Sequence, residues 1–282
     1  MGNSIKTFIL MMAMTFIMLF LGNAIGGRQG MIVAFVIALA TNFTSYWFSD
    51  KIVLSMYRAV PLDQSHHVYR LTQTLANRAN LPMPKVYLIN EAQPNAFATG
   101  RNPQHSAVAV TAGLLEMMDE NELSGVIGHE LGHIHNRDIL IQSVAAVMAS
   151  AITFMSTMAR WGAVPRSNDN RRNNNSGIIM LFAALLAPLG ATLVRMAISR
   201  TREYKADRFG AEASQNPQFL SSALNKLEIG SQRIAMRANP ATENMFIVNP
   251  LSGDAFRKLF STHPSTKDRI NELSKMSYTK NY

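Results

Sequence analysis

No cysteine occurs anywhere in the 282 residues. Disulfide bonds are thereby excluded, and any zinc the chain holds must be bound by histidine and carboxylate side chains, although this absence fixes no compartment. A nucleic-acid signature is missing too. The formal charge of +9 would suit a polyanion, but there is no stacking motif and no cysteine-based zinc knuckle, and lysines and arginines flanking membrane segments account for the basicity more simply. The third shortage is local: charge is nearly absent from four long blocks, while the overall hydrophobic fraction, 48%, is ordinary. Such an uneven distribution describes a polytopic membrane protein, in contact with the lipid bilayer and carrying a modest soluble part.

The blocks form two pairs. Ile5 to Leu21 reaches spanning length if extended to Ile25, and Met31 to Phe48 follows after a tight Gly26-Gly27-Arg28-Gln29-Gly30 turn, so residues 1–48 predict a membrane hairpin with Tyr46 and Trp47 in an aromatic belt. A cleaved signal peptide is the rival reading of the first block. The length of its core, the lack of a small-residue cleavage site and the second block speak against it. Ile139 to Met158 carries no charge, and Gly177 to Ile198 is interrupted only by Arg195 and kinked at Pro188-Leu189-Gly190. With the polar Arg166 to Asn175 loop between them, they predict a second hydrophobic hairpin over residues 139–198.

What is present between the blocks carries the chemistry. In Gly128-His129-Glu130-Leu131-Gly132-His133, two histidines stand four apart. On an α-helix such residues share a face about 6 Å apart along the axis, so two imidazoles can converge on one Zn²⁺. Glu130, roughly 100° round the helix, can reach a water held at the metal without being a ligand. The helix is independently predicted: Asp119 reads as an N-cap with a capping-box carboxylate at Glu122, and Leu123, Val126, Ile127, Leu131 and Ile134 follow at helical spacing. The bland alternative is a surface helix with incidental histidines.

Residues 49–138 and 199–282 therefore read as two halves of one catalytic domain. The first half predicts a helix over Leu62 to Ala79 ended by Pro82 and Pro84, a strand at Lys85 to Ile89, and two short strands at Asn95 to Gly100 and Ser106 to Val110. The fold class is accordingly an α+β membrane protein, mainly helical, with four hydrophobic helices in two hairpins and a zincin-like catalytic domain containing a small sheet.

A catalytic zinc needs a third protein ligand and one open position. If the third and fourth hydrophobic segments form an antiparallel pair, residues equally far from its centre stand at equal height. The polar loop centres near residue 169, and His133 and Glu203 are equidistant from residue 168. Glu203 is thus the candidate third ligand. Asp207, one turn further on the same face, could accept a hydrogen bond from a ligand histidine and fix its tautomer. Without the histidine motif, Glu203 and Asp207 would read as part of a charge-laced surface helix.

These motifs resemble, over the whole chain and in order, the HtpX-type membrane zinc metalloproteases, relatives of the CaaX prenyl endopeptidases. The resemblance rests on the N-terminal hairpin, Asn95-Ala96-Phe97-Ala98-Thr99-Gly100, His129-Glu130-Leu131-Gly132-His133, the second hydrophobic pair, Glu203-Tyr204-x-Ala206-Asp207, and Thr262-His263-Pro264. It implies one zinc per subunit held by His129, His133 and Glu203, with Glu130 as base and Asp207 in support. It also implies an inner-membrane endopeptidase acting, with its catalytic domain in the cytoplasm, on misfolded or damaged membrane proteins. His263, before a stiffening proline, becomes a catalytic candidate as a second oxyanion donor, although Ser265-Thr266 departs from the further proline often found in the family; by composition alone it is a surface histidine. Asn95, Ala96, Phe97, Ala98 and Thr99 become a substrate strand to whose edge an extended peptide adds, where a plain edge strand is the alternative. His66, His67, His105 and His135 lack any such context.

Lys6, Lys51, Arg58, Arg200, Arg202 and Lys205 flank the side of the soluble segments, which the positive-inside rule makes cytoplasmic, while Arg160, Arg166, Arg171 and Arg172 pull the second turn the other way. A CaaX-type peptidase is a rival enzyme, for which seven spans rather than four are expected. A non-catalytic membrane holdase or scaffold with a vestigial metal site is the rival of another class, and the intact Glu130 speaks against it.

Overall fold

The computed structural model describes residues 3–162, 199–233, 242, 245–247 and 264–276. The chain opens with α1 (Asn3–Met56), whose helical path is broken at Gly26 (φ −128°, ψ 17°) and Gly27 (φ 56°, ψ −143°). Gly27 sits in a conformation that a side chain would resist. There the helix doubles back. A Cβ on Gly22 would lie 2.6 Å from the Gly30 carbonyl oxygen, and Asn42 Nδ2 donates to Thr15 Oγ1 across the arms at 2.8 Å. Asn3–Phe20 and Gly26–Met56 are each long and apolar enough to cross a membrane. The second arm runs on past Phe48, the end expected from sequence, to Met56. Phe8, Phe16, Phe20, Ile32, Val36 and Phe43 are exposed on these arms, a surface suited to lipid rather than water.

After the hairpin come β1 (Val60–Pro61), α2 (His67–Arg78), β2 (Lys85–Ile89), β3 (Ala96–Asn102) and β4 (His105–Thr111). The sheet order is β1-β2-β4-β3; β2 runs parallel to β4, and β3 pairs antiparallel with β4 at the sheet's edge. Alternation along β3 serves two cores at once. Ala96 and Ala98 pack with Val108 and Val110 on the same side as Val126, Ile127 and Leu131. Phe97 packs with Ala107 and Ala109 against Val53, Ala146 and Val147 on the other.

Three further helices follow α3 (Ala112–Met117): α4 (Glu120–His135), α5 (Ile139–Gly162) and, after the undescribed residues 163–198, α6 (Arg200–Ser214). Then come α7 (Pro217–Arg233) and α8 (Thr266–Ser274). The protein is mostly helical with a small mixed sheet and two N-terminal apolar helices. Of the four hydrophobic helices expected, two are long and apolar enough to cross a membrane among the described residues; the third begins as α5, where Ile139–Thr153 is a shorter apolar stretch. That stretch is buried in protein, with Val144 and Met148 against Leu10 and Met14 of α1. The fourth, Gly177 to Ile198, lies outside the described residues.

Candidate metal centre

The chemistry is built on α4, and α4 is built to be buried. Its N-terminus is closed by the expected capping box: the Glu122 N–H donates to Asp119 Oδ1 at 2.9 Å, and the Asp119 N–H returns to Glu122 Oε2 at 3.1 Å. Every residue from Glu122 to Ile134 is buried. What lets a neighbour come close is glycine. A Cβ at Gly128 would meet the Gly210 carbonyl oxygen at 2.9 Å, and one at Gly132 would meet Ala206 Cα at 2.9 Å. Along this seam α6 lies almost backbone to backbone on α4, which carries Glu203 to the two histidines.

The donor atoms of His129, His133 and Glu203 all lie within 4.8 Å of one another. Glu203 Oε2 is 3.8 Å from His129 Nε2, and its Oε1 is 3.6 Å from His133 Nε2. Ligands at tetrahedral positions around a zinc ion stand about 3.4 Å apart, and the two Glu203 contacts are of that order. Both imidazoles are turned for it. The His129 ring presents Nδ1 to Asp207 Oδ1 at 2.9 Å, and His133 Nδ1 meets Asp138 Oδ2 at 3.2 Å. A carboxylate on each Nδ1 fixes the tautomer that leaves Nε2 as the lone-pair donor. His129 Nε2 is buried without a hydrogen-bond partner, an arrangement that costs free energy unless something electron-poor sits against it.

Two members of this arrangement were not read from sequence. Asp138 lies in the short break between α4 and α5, where Arg137 adopts a left-handed φ of 57°. Arg269, fully buried, arrives from α8: its Nε and Nη2 donate to the two oxygens of Asp207 at 2.8 and 2.5 Å, and its Nη1 to the Ile247 carbonyl at 2.8 Å. Nη2 also stands 3.3 Å from His129 Nδ1, because both donate to the same Asp207 oxygen. Among the described residues, the signal for Arg269 was a charged residue four before the buried Leu273 in an amphipathic helix.

The electrostatics follow from this packing. Burial lowers the His129 pKa, outweighing its hydrogen bond to Asp207. Burial also opposes charge on His133, but its hydrogen bond to Asp138 and the Glu203 carboxylate reverse the balance and push it up to about 9. Asp207 is desolvated as well, yet Arg269 and the His129 hydrogen bond hold it below the usual carboxylate range. Glu130 is raised to about 7, chiefly by burial. Its carboxylate accepts a hydrogen bond from the Ala98 N–H of β3, so the outer edge of that strand runs beside it.

Of the remaining candidates, Asn95 directly precedes β3 and Ala96 to Thr99 form its first half. His263 lies outside the described residues, next to a buried Pro264. His135 stacks on Phe209 at 4.7 Å, His66 on His67 at 4.7 Å, and His105 bonds Asn102, all away from the cluster. Arg202, one of the flanking positive charges, is buried near Asp138 and Glu203.

Apolar helices long enough to span a bilayer, joined to a domain whose central helix carries His-Glu-x-x-His beside a buried glutamate, define a membrane metalloprotease. The sequence profile of Peptidase family M48 matches residues 63–277. The chain belongs to that family. It is 52% identical over 279 residues to a protein named Protease HtpX homolog from Desulforapulum autotrophicum, covering 97% of this chain and 90% of that one. To the Protease HtpX homolog of Campylobacter hominis it is again 52% identical, covering 97% and 98%. Among solved structures, the crystal structure of S. mikatae Ste24p aligns with a TM-score of 0.50 at 18% identity; the match covers 96% of this chain but 65% of that longer one, and speaks to the fold.

Proposed function

We propose that this metalloprotease is a zinc endopeptidase in which His129, His133 and Glu203 bind the ion, Glu130 is the general base, and Asp207 and Asp138 orient the imidazoles. The observation that carries the reading is the convergence of three buried donors within 4.8 Å, with the histidine Nδ1 atoms facing carboxylates and the His129 Nε2 left unpartnered. Two imidazoles and one carboxylate with no thiol suit zinc among the common divalent ions. When bound, zinc supplies a Lewis acid that polarises the scissile carbonyl and makes water acidic enough to attack at neutral pH.

The chain's own groups do the rest. Glu130 takes the proton released by the attacking water and delivers it to the departing amine nitrogen as the C–N bond breaks. Its raised pKa, about 7, suits a group that must first accept and then donate. Asp207, gripped by Arg269, and Asp138 keep both rings in register throughout. An extended substrate adds to the outer edge of Asn95–Thr99 by main-chain hydrogen bonds, which favours cleavage with little side-chain selectivity. His263 is the proposed second donor to the carbonyl oxygen.

The substrates are proposed to be misfolded or damaged membrane proteins. Asn3, at the start of the first apolar arm, donates to Asp138 at 2.6 Å, which puts the metal cluster near the end of a lipid-facing helix and within reach of segments at a bilayer surface. Residues 1–48 would form the N-terminal membrane hairpin and 139–198 a second hydrophobic pair, with 49–138 and 199–282 making up the catalytic domain. The flanking lysines and arginines favour an inner-membrane, multi-pass protein whose catalytic domain is cytoplasmic.

Purified protein in detergent with zinc should cleave casein, and Glu130→Gln should not; equal cleavage by both would remove the mechanism. A tag inserted near residue 170 should resist added protease in sealed inverted vesicles, and its digestion would refute the four-span topology.

A further inference from the structure

Asn3 and the metal cluster are far apart in sequence and adjacent in space. Asp138 is fully buried, and its two oxygens serve two masters: Oδ2 accepts from His133 Nδ1 at 3.2 Å, Oδ1 from Asn3 Nδ2 at 2.6 Å. The same amide reaches the Asn136 carbonyl at 3.2 Å. The Asp138 N–H donates to the His133 carbonyl at 2.9 Å, so the carboxylate has little freedom except rotation about its own side-chain bonds. Asn3 removes that freedom. Arg202 is buried nearby, but Asn3 is neutral, so what it contributes is direction rather than charge.

The hairpin in turn determines where Asn3 stands. Leu10 and Met14 of its first arm pack on Leu140 and Val144 of α5, and α5 starts at Ile139, the residue after Asp138. The hairpin's far end touches the same region from the other side: Tyr57, just beyond Met56, packs its ring 5.7 Å from Phe97 of β3 and 5.6 Å from Phe246. One end of the membrane anchor therefore contacts the carboxylate behind His133, and the other contacts the edge strand beside Glu130.

We propose that Asn3 is a positioning residue for the metal centre: through Asp138 it orients His133, so that seating of the membrane hairpin and retention of the metal are coupled. The proposal rests on His133 being a ligand, as argued above. Carboxylates behind ligand histidines are worth about 10–100-fold in metal affinity, and a group that fixes such a carboxylate inherits part of that effect.

The test uses the full chain in detergent, loaded with zinc, with the rate of zinc loss to a chromogenic chelator as the main readout. Asp138→Ala should release zinc about 10–100-fold faster than the wild type, and Asn3→Leu about 3–10-fold faster, a fraction of that effect. The double variant should be no faster than Asp138→Ala alone, because both act through one carboxylate. Thr15→Val, which removes the Asn42 bond elsewhere in the hairpin, should match the wild type. In the cobalt-substituted protein, Asn3→Leu should shift the visible d–d bands, which Thr15→Val leaves in place. Asn3→Asp, setting a second carboxylate against Asp138, should release metal faster than Asn3→Leu. Wild-type release and spectrum in Asn3→Leu, or additive effects in the double variant, would overturn the coupling. Undiminished zinc binding by His133→Ala would instead remove the ligand assignment beneath it.

Discussion

Glu130 loses its hydration before any cation is counted, and that burial, with the Glu203 charge adding to it, lifts its pKa to about 7. Only the ionised form can act as base, and a neighbouring cation can only stabilise that form. The pH profile of kcat/KM should therefore rise with pH to a plateau along an acid limb at or below about pH 7, a limb that Glu130→Gln removes together with at least about 100-fold of the rate, while metal analysis shows the zinc retained. Asp207 invites a different measurement. Its loss in Asp207→Ala leaves the Arg269 guanidinium buried without its carboxylate, which costs about 3–5 kcal/mol; chemical denaturation should report that loss, and Asp207→Ala combined with Arg269→Met should recover part of it. At this scale the sequence was legible wherever donors share a helix: His129, Glu130 and His133 stand on one turn and a half of α4, and Asp207 lies one turn from Glu203. Asp138 and Arg269 were not, because the first owes its direction to a left-handed turn at Arg137 and the second reaches His129 across 140 residues of chain.

The approach of α4 to α6 depends on atoms that are missing. Gly132→Val adds bulk where a Cβ already falls 2.9 Å from Ala206 Cα, so α6 must retreat, Glu203 with it. The expected result is a folded protein that binds zinc at least about 10-fold more weakly, measured by competition with a chelator of known affinity. In the anchor, Gly27→Val forces a β-branched residue into φ 56°, and limited proteolysis should then cut in the first turn faster than it does in the wild type. Three of the sheet's four strands were readable from alternation and from turn residues, and the hairpin from two nearly uncharged blocks about a glycine pair. Composition could not show what α5 faces. An uncharged helix looks the same whether lipid or protein covers it, and Val144, Ala145 and Ala146 turn out to be covered by α1 and the sheet. Nor does a sequence of apolar residues mark where a membrane helix leaves the bilayer, which is why the second arm outruns its expected end.

Across the whole molecule, a bound ion and the fold support each other, since the proposed ligands come from helices on opposite sides of the undescribed segment. Removing the metal should lower Tm, by an amount corresponding to about 2.7 kcal/mol when the free ion had been held at 100 times its Kd; an unchanged Tm after verified zinc removal would contradict this. The same dispersal has a bearing on biosynthesis. The proposed third donor stands 70 residues after His133, and the arginine that steadies Asp207 lies 62 residues after that aspartate. A nascent polypeptide still on the ribosome can present two imidazoles and a glutamate and yet have no hydrolytic centre. Self-cleavage and stray cutting of neighbouring translation products would thereby be deferred until the later helices have been made.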